Sequence, residues 1–167
     1  SYITDENGKI SVTVSESEEY YFVETETLPG YEAVTGEIAP GRVTNSWKSG
    51  SLEITKELDN KPNAAVGKTF DFKLTLDLST APVMGNGISW MTAAYIMGQL
   101  NSSKTLTWSA SGNKLSADFT LNADETVSID SIPLGATYTL EEVMTAEDQG
   151  WFVVTNQVDG GSSRKGN

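Results

Sequence analysis

Phe70-Asp71-Phe72-Lys73-Leu74-Thr75-Leu76-Asp77-Leu78 alternates apolar and polar side chains without a slip. A period of two puts both Phe and all three Leu on one face of an extended strand and the polar residues on the other, whereas a helix would scatter them around its axis. This is the writing of a strand with one buried face. Outward from it the same pattern recurs at Lys9 to Val14, Tyr20 to Glu24, Leu52 to Leu58, Leu115 to Leu121, Val127 to Ile132, Tyr138 to Val143 and Trp151 to Val154. Turn-forming pairs stand between these segments: Asn7-Gly8, Pro29-Gly30, Pro40-Gly41, Gly85-Asn86-Gly87, Gly112-Asn113 and Gly160-Gly161. Glycine and asparagine supply the positive φ that tight turns need, and proline presets their first corner. Many short alternating strands with such punctuation predict an all-β fold, a β-sandwich. One stretch departs from it, because Trp90, Ala94, Met97 and Leu100 fall at helical spacing. A short helix within a long loop is expected there, capping an open end of the sandwich.

Composition narrows the chemistry. The 167 residues fit one ordinary domain or a domain plus part of another, and 38% are hydrophobic with no apolar run near the roughly 20 residues that a membrane-spanning helix requires. No charged-then-apolar leader pattern opens the sequence. A formal charge of -12 opposes binding to nucleic acid or to an anionic lipid surface. The chain has neither Cys nor His, which removes thiol nucleophiles, disulfides, Ser-His-Asp triads and nearly all zinc sites. Carboxylates, lysines and hydroxyls remain, and no cofactor or metal is expected. Asp5-Glu6-Asn7-Gly8 lacks the ligand spacing of a calcium loop and reads as a hairpin turn. The many acids show no spacing that singles out a glycosidase pair, so a multiple-turnover enzyme is not expected.

Alternation also writes charge onto apolar faces. Lys56 shares a face with Leu52, Ile54 and Leu58; Glu142 with Tyr138 and Leu140; Glu24 with Tyr20 and Phe22; Asn45 with Val43 and Trp47. Burying an unpaired ammonium or carboxylate costs several kcal/mol, so such residues are expected to meet partners. One outcome is an ordinary ion pair. The other uses desolvation, which favours the neutral forms of a buried amine and acid. A neutral lysine beside an Asn amide can attack its carbon while a Glu moves the proton, releasing ammonia and leaving an amide cross-link.

The sequence also repeats. Tyr20-x-Phe22-x-Glu24 and Tyr138-x-Leu140-x-Glu142 share one pattern, followed by Gly30-Tyr31 and Gly150-Trp151. Two copies of one module are expected, joined near Asn45 to Gly50.

The residues that carry this pattern resemble those of Cna B-type domains, also called SpaA-type pilin domains. Thr4-Asp5-Glu6-Asn7-Gly8-Lys9-Ile10, the Tyr20 to Thr25 segment, Pro29-Gly30-Tyr31 and Val43-Thr44-Asn45 are similar to the second half of such a domain. The segments from Gly50 to Lys56, Phe70 to Leu76, Ala123 to Val127 and Ile132 to Glu142 are similar to a second, tandem copy. The resemblance implies immunoglobulin-like or transthyretin-like sandwiches, with residues 1–46 the C-terminal half of one domain and 47–167 a second domain short of its last strand. It further implies an extracellular stalk or pilus shaft on the cell wall of a Gram-positive bacterium, stiffened by Lys-Asn isopeptide bonds made with an acidic catalyst. Carried over by position, Lys56 is the nucleophile and Glu142 the catalytic acid of the second module, while Glu24 and Asn45 are the acid and acceptor of the first. Asn167 and Asn156 are weaker candidates for the acceptor facing Lys56. The implied partners are neighbouring modules or pilin subunits, and a strand-donating chain that completes a module. A different function is an adhesin, in which Trp90, Tyr95 and Trp108 on the 82–108 loops bind a host protein or carbohydrate.

Overall fold

The computed structural model describes residues 1–5, 8–59 and 67–149. Among them are seven strands in two antiparallel sheets: β1 (Ser49–Thr55), β2 (Thr69–Asp77), β3 (Asn101–Ser102), β4 (Thr107–Ser111), β5 (Lys114–Asn122), β6 (Thr126–Pro133) and β7 (Thr137–Val143). One sheet has the order β1-β6-β3 and the other β4-β5-β2-β7. β2 lies at the interior of the larger sheet, paired with β5 from Thr69↔Asn122 to Asp77↔Lys114 and with β7 from Asp71↔Val143 to Asp77↔Thr137. That position follows from its alternation, since Phe70, Phe72, Leu74 and Leu76 are buried and the residues between them are not. Ile54 of β1, Val127 and Ile129 of β6 and Leu115, Phe119 and Leu121 of β5 join the same core, so both sheets bury their apolar faces in one cluster.

Between β2 and β3 the chain makes a 3-10 turn (Pro82–Gly85) and the helix α1 (Ala93–Met97). The Thr92 hydroxyl caps α1 by accepting the Tyr95 N–H at 3.2 Å. The helix is shorter than the spacing of Trp90, Ala94, Met97 and Leu100 predicts, and its inward face differs. Ala93 and Ile96 are buried, with Met97 and Leu100 packed at the edge of the core, while Ala94 is exposed and Trp90 is 57% exposed. With little more than one turn, no helical stripe can form, and the loop on either side decides what is covered. A second short helix, α2 (Ala146–Gln149), follows β7.

Residues 1–46 are different. The alternating segments Lys9 to Val14 and Tyr20 to Glu24 form no ladder among the described residues, where this region contributes only the bridges Phe22↔Ile38 and Tyr31↔Trp47. The segment Trp151 to Val154 lies outside the described residues.

The β5–β6 turn is fastened by charge. Lys104 Nζ donates to Glu125 Oε1 at 2.8 Å and to the Thr120 carbonyl at 2.7 Å, and Glu125 Oε2 accepts the Asn122 N–H at 2.8 Å. The Lys104 hydrogen bond foremost, then the Asn122 backbone, holds the Glu125 carboxyl below the usual carboxylate range. A carboxyl depressed in the folded state stabilises above its ordinary pKa, and that contribution disappears as pH falls through the folded value. Glu125→Gln should therefore flatten the fall of the thermal midpoint below about pH 4, measured by circular dichroism against the parent chain. An unchanged acid limb would show that this turn contributes nothing to acid sensitivity.

Candidate functional site

Lys56 follows the last residue of β1 and keeps its pleat. Its N–H donates to the Glu125 carbonyl at 3.0 Å and its carbonyl accepts the Asp124 N–H at 2.6 Å, so the alternation that buries Ile54 carries on to the next inward position. Glu142 stands in β7 opposite Phe72 of β2, again on the inward face. The two meet: Lys56 Nζ donates to both carboxylate oxygens of Glu142 at 2.9 Å, with side chains only 11% and 6% exposed. The ammonium also stands over the Phe70 ring, 4.4 Å from its centre. The pair joins an edge strand of one sheet to an edge strand of the other, across 86 residues of sequence.

Those edges matter. Among the described residues β1 pairs only with β6 and β7 only with β2, so each leaves one side of its backbone ladder open. An open recess lies against Glu142, lined also by Lys68, Phe70, Asp71, Val143 and Met144. A strand laid along either edge would present alternate side chains toward the Lys56 ammonium.

Glu24 and Asn45 form a second pair. Glu24 Oε2 accepts from Asn45 Nδ2 at 2.8 Å and from the Val34 N–H at 2.6 Å, while Asn45 Nδ2 also donates to the Glu32 carbonyl at 3.0 Å. Both residues are half-buried. Neither pair is hydrogen-bonded to the other, so the structure groups the four side chains as Lys–Glu and Glu–Asn. The weaker acceptor candidates Asn156 and Asn167 lie outside the described residues.

The sequence reads Pro29-Gly30-Tyr31 as a turn and as a repeated Gly-aromatic pair, and the structure gives it more to do. Tyr31 is buried in the core cluster, and its hydroxyl has no hydrogen-bond partner among the described residues. Burial foremost, with Tyr95 nearby, pushes its phenol above the usual tyrosine value. Its pairing with Trp47 was not written in either segment's alternation.

At Lys56 the fold brings an amine against a carboxylate, and at Glu24 a carboxylate against an amide. No group of three or more Asp or Glu that could hold a metal occurs among the described residues, and no helix there is long and apolar enough to cross a membrane. Residues 50–167 match the model of a family described as a domain of unknown function (DUF7601), and the chain belongs to that family. No curated protein and no solved structure matches the chain significantly.

Proposed function

We propose that the chain is a structural module of a bacterial surface protein or pilus, built from β-sandwich units in tandem and stiffened by an internal Lys-Asn isopeptide bond. The observation that carries this reading is the Lys56–Glu142 pair, an amine and an acid in contact at 2.9 Å, largely shielded from water, beside two strand edges that no other described strand pairs with. The resemblance to Cna B-type domains supports the cell-wall setting, and the lack of Cys leaves a role for a cross-link of another kind.

In the reaction Lys56 passes its extra proton to Glu142 and the neutral amine adds to the side-chain carbon of an Asn on the completing strand. Glu142, now the acid, stabilises the developing oxyanion. The proton lost by the lysine nitrogen is delivered to the departing amide nitrogen, the C–N bond breaks and ammonia leaves. One C–N bond forms for the one broken, and the event occurs once per chain. Asn156 and Asn167 are the acceptors proposed within this sequence; Glu24 and Asn45 are the corresponding acid and acceptor for a lysine of the preceding module or of a neighbouring chain.

Intact mass of the denatured chain tests the proposal. The expected result is one ammonia less than the sequence mass, with the full mass restored in Glu142→Ala and in Lys56→Arg. Arginine keeps a cation opposite Glu142 but stays protonated and cannot attack. Full mass in the parent chain sinks the intramolecular bond.

Adhesion through the 82–108 loops is the second reading, favoured by the exposure of Trp90 and of Tyr95 against which it packs edge-on at 5.1 Å. Trp108, by contrast, is half-buried against the core. Retention on immobilised matrix proteins or glycans that Trp90→Ala abolishes would support it.

A further inference from the structure

We infer that the 82–100 insertion is a docking socket for the segment that precedes the family domain, and that Gly30-Tyr31 is the plug. The matched domain begins at residue 50, yet its core contains Tyr31, 8% exposed, alongside Val83, Met91 and Ile96 of the insertion. Gly30 sits at φ +84, and a Cβ there would lie 2.7 Å from Val83 Cγ1 and 2.8 Å from the Val83 nitrogen. Only glycine brings the two backbones this close. Asn86 Nδ2 closes the rim by donating to the Pro29 carbonyl at 2.9 Å.

A second strip locks the same segment from the other side. Trp47 packs edge-on against Tyr95 of α1 with ring centres 6.2 Å apart, and its Nε1 donates to the Ser131 carbonyl at 3.3 Å. Ser131 adopts φ 66 in β6, next to the register shift opposite Gly50 and Leu52, so the strand turns this carbonyl toward the indole. Backbone bonds complete the clasp: Glu32 N–H to Ser46 O at 2.7 Å, Lys48 N–H to Gly30 O at 2.7 Å, and Leu134 N–H to Lys48 O at 2.8 Å. Apolar burial, a glycine contact and three backbone bonds thus fix residues 29–32 and 46–48 onto the domain, whereas Tyr2, Ile3, Tyr21 and Val23 upstream and Val43 in the intervening loop are exposed. This fixes the occupant of the insertion as the chain's own upstream segment, and it holds whether or not Lys56 forms a cross-link.

Two glycines give a matched test by amide hydrogen exchange on the whole chain. Gly36 also has a positive φ, +90, but a Cβ there would meet nothing within 4 Å. Both Gly30→Ala and Gly36→Ala strain the backbone; only the first collides with the socket. Gly30→Ala should speed exchange at the Glu32, Lys48 and Leu134 amides by roughly tenfold or more, with the β2–β5 ladder still protected and Gly36→Ala leaving those three amides unchanged. Equal effects of the two variants, or fast exchange at these amides in the parent chain, would overturn the proposal. If Gly30→Ala unfolds the domain, so that the β2–β5 amides lose protection as well, Asn86→Ala decides, because it removes only the rim bond. A several-fold rise at Lys48 supports the socket, and no change there refutes it.

Discussion

Glu142→Ala should lower the unfolding free energy by about 3–5 kcal/mol, because it leaves the Lys56 ammonium in an apolar site with no anion to offset its lost hydration. Domains of this size are stable by about 5–15 kcal/mol in all, so the variant would lose a large part of its margin. The pair is largely removed from water, with the Phe70 ring beside the ammonium, which distinguishes it from the exposed Lys114–Asp77 pair at 3.6 Å. Solvent screens an exposed pair of that kind, so Lys114→Ala should leave the urea midpoint close to the parent's. A double variant, Lys56→Met with Glu142→Leu, should recover most of the equilibrium stability, since neither charge remains to be buried. It cannot recover a cross-link. If the isopeptide bond forms, the double variant should unfold in urea below the cross-linked parent, because it lacks the constraint that the bond puts on the unfolded chain, and should lose the parent's resistance to protease and to prolonged heating. Should Glu142→Ala cost less than about 1 kcal/mol, the pair is solvated in solution and the reading of a shielded site fails.

How far the sequence led depends on what each element asks of its side chains. β1, β2, β5, β6 and β7 each bury one face against a two-sheet core, and that demand is visible as period two. The inward aim of Lys56 and Glu142 followed from the same arithmetic, because pleating does not depend on whether a side chain is charged. β3 and β4 were illegible for the opposite reason. Thr107-Trp108-Ser109-Ala110-Ser111 is an edge strand that half-buries one side chain and exposes the rest, so there was no alternation to read. In 1–46 the alternation was present but, among the described residues, no ladder forms from it, and Tyr21, Val23 and Val43 are exposed. The joint at Gly30 was hidden because close approach of two backbones leaves only a glycine, which a turn explains equally well. Its second half, Trp47 against Tyr95, depends on residues 48 positions apart meeting across a loop, and no local pattern encodes that.

Phe72→Ala is expected to be as damaging as loss of Glu142, by a different route. Phe72 is 6% exposed and stacks on Phe119 of β5 with ring centres 5.5 Å apart and planes 15° from parallel. In the neighbouring strand its register partner is Glu142 itself. Removing the ring takes away its transfer free energy and leaves a cavity that two paired strands on either side cannot collapse to fill, a cost of about 3–5 kcal/mol. Phe119→Ala should cost a similar amount, and the double variant less than the sum by about 0.5–1.5 kcal/mol, the coupling expected of stacked rings. Asp71→Ala, one residue away on the exposed face, should stay within about 0.5 kcal/mol. Urea midpoints of the four chains measure all of this. The mass assay adds a further step, because Phe72 carries no chemistry of its own. If Phe72→Ala remains folded but loses ammonia more slowly than the parent, the ring matters by holding β7 and thus the Glu142 carboxyl in place. A folded variant that cross-links at the parent's rate would instead mean that the Lys56–Glu142 contact is fixed by β1 and β7 alone.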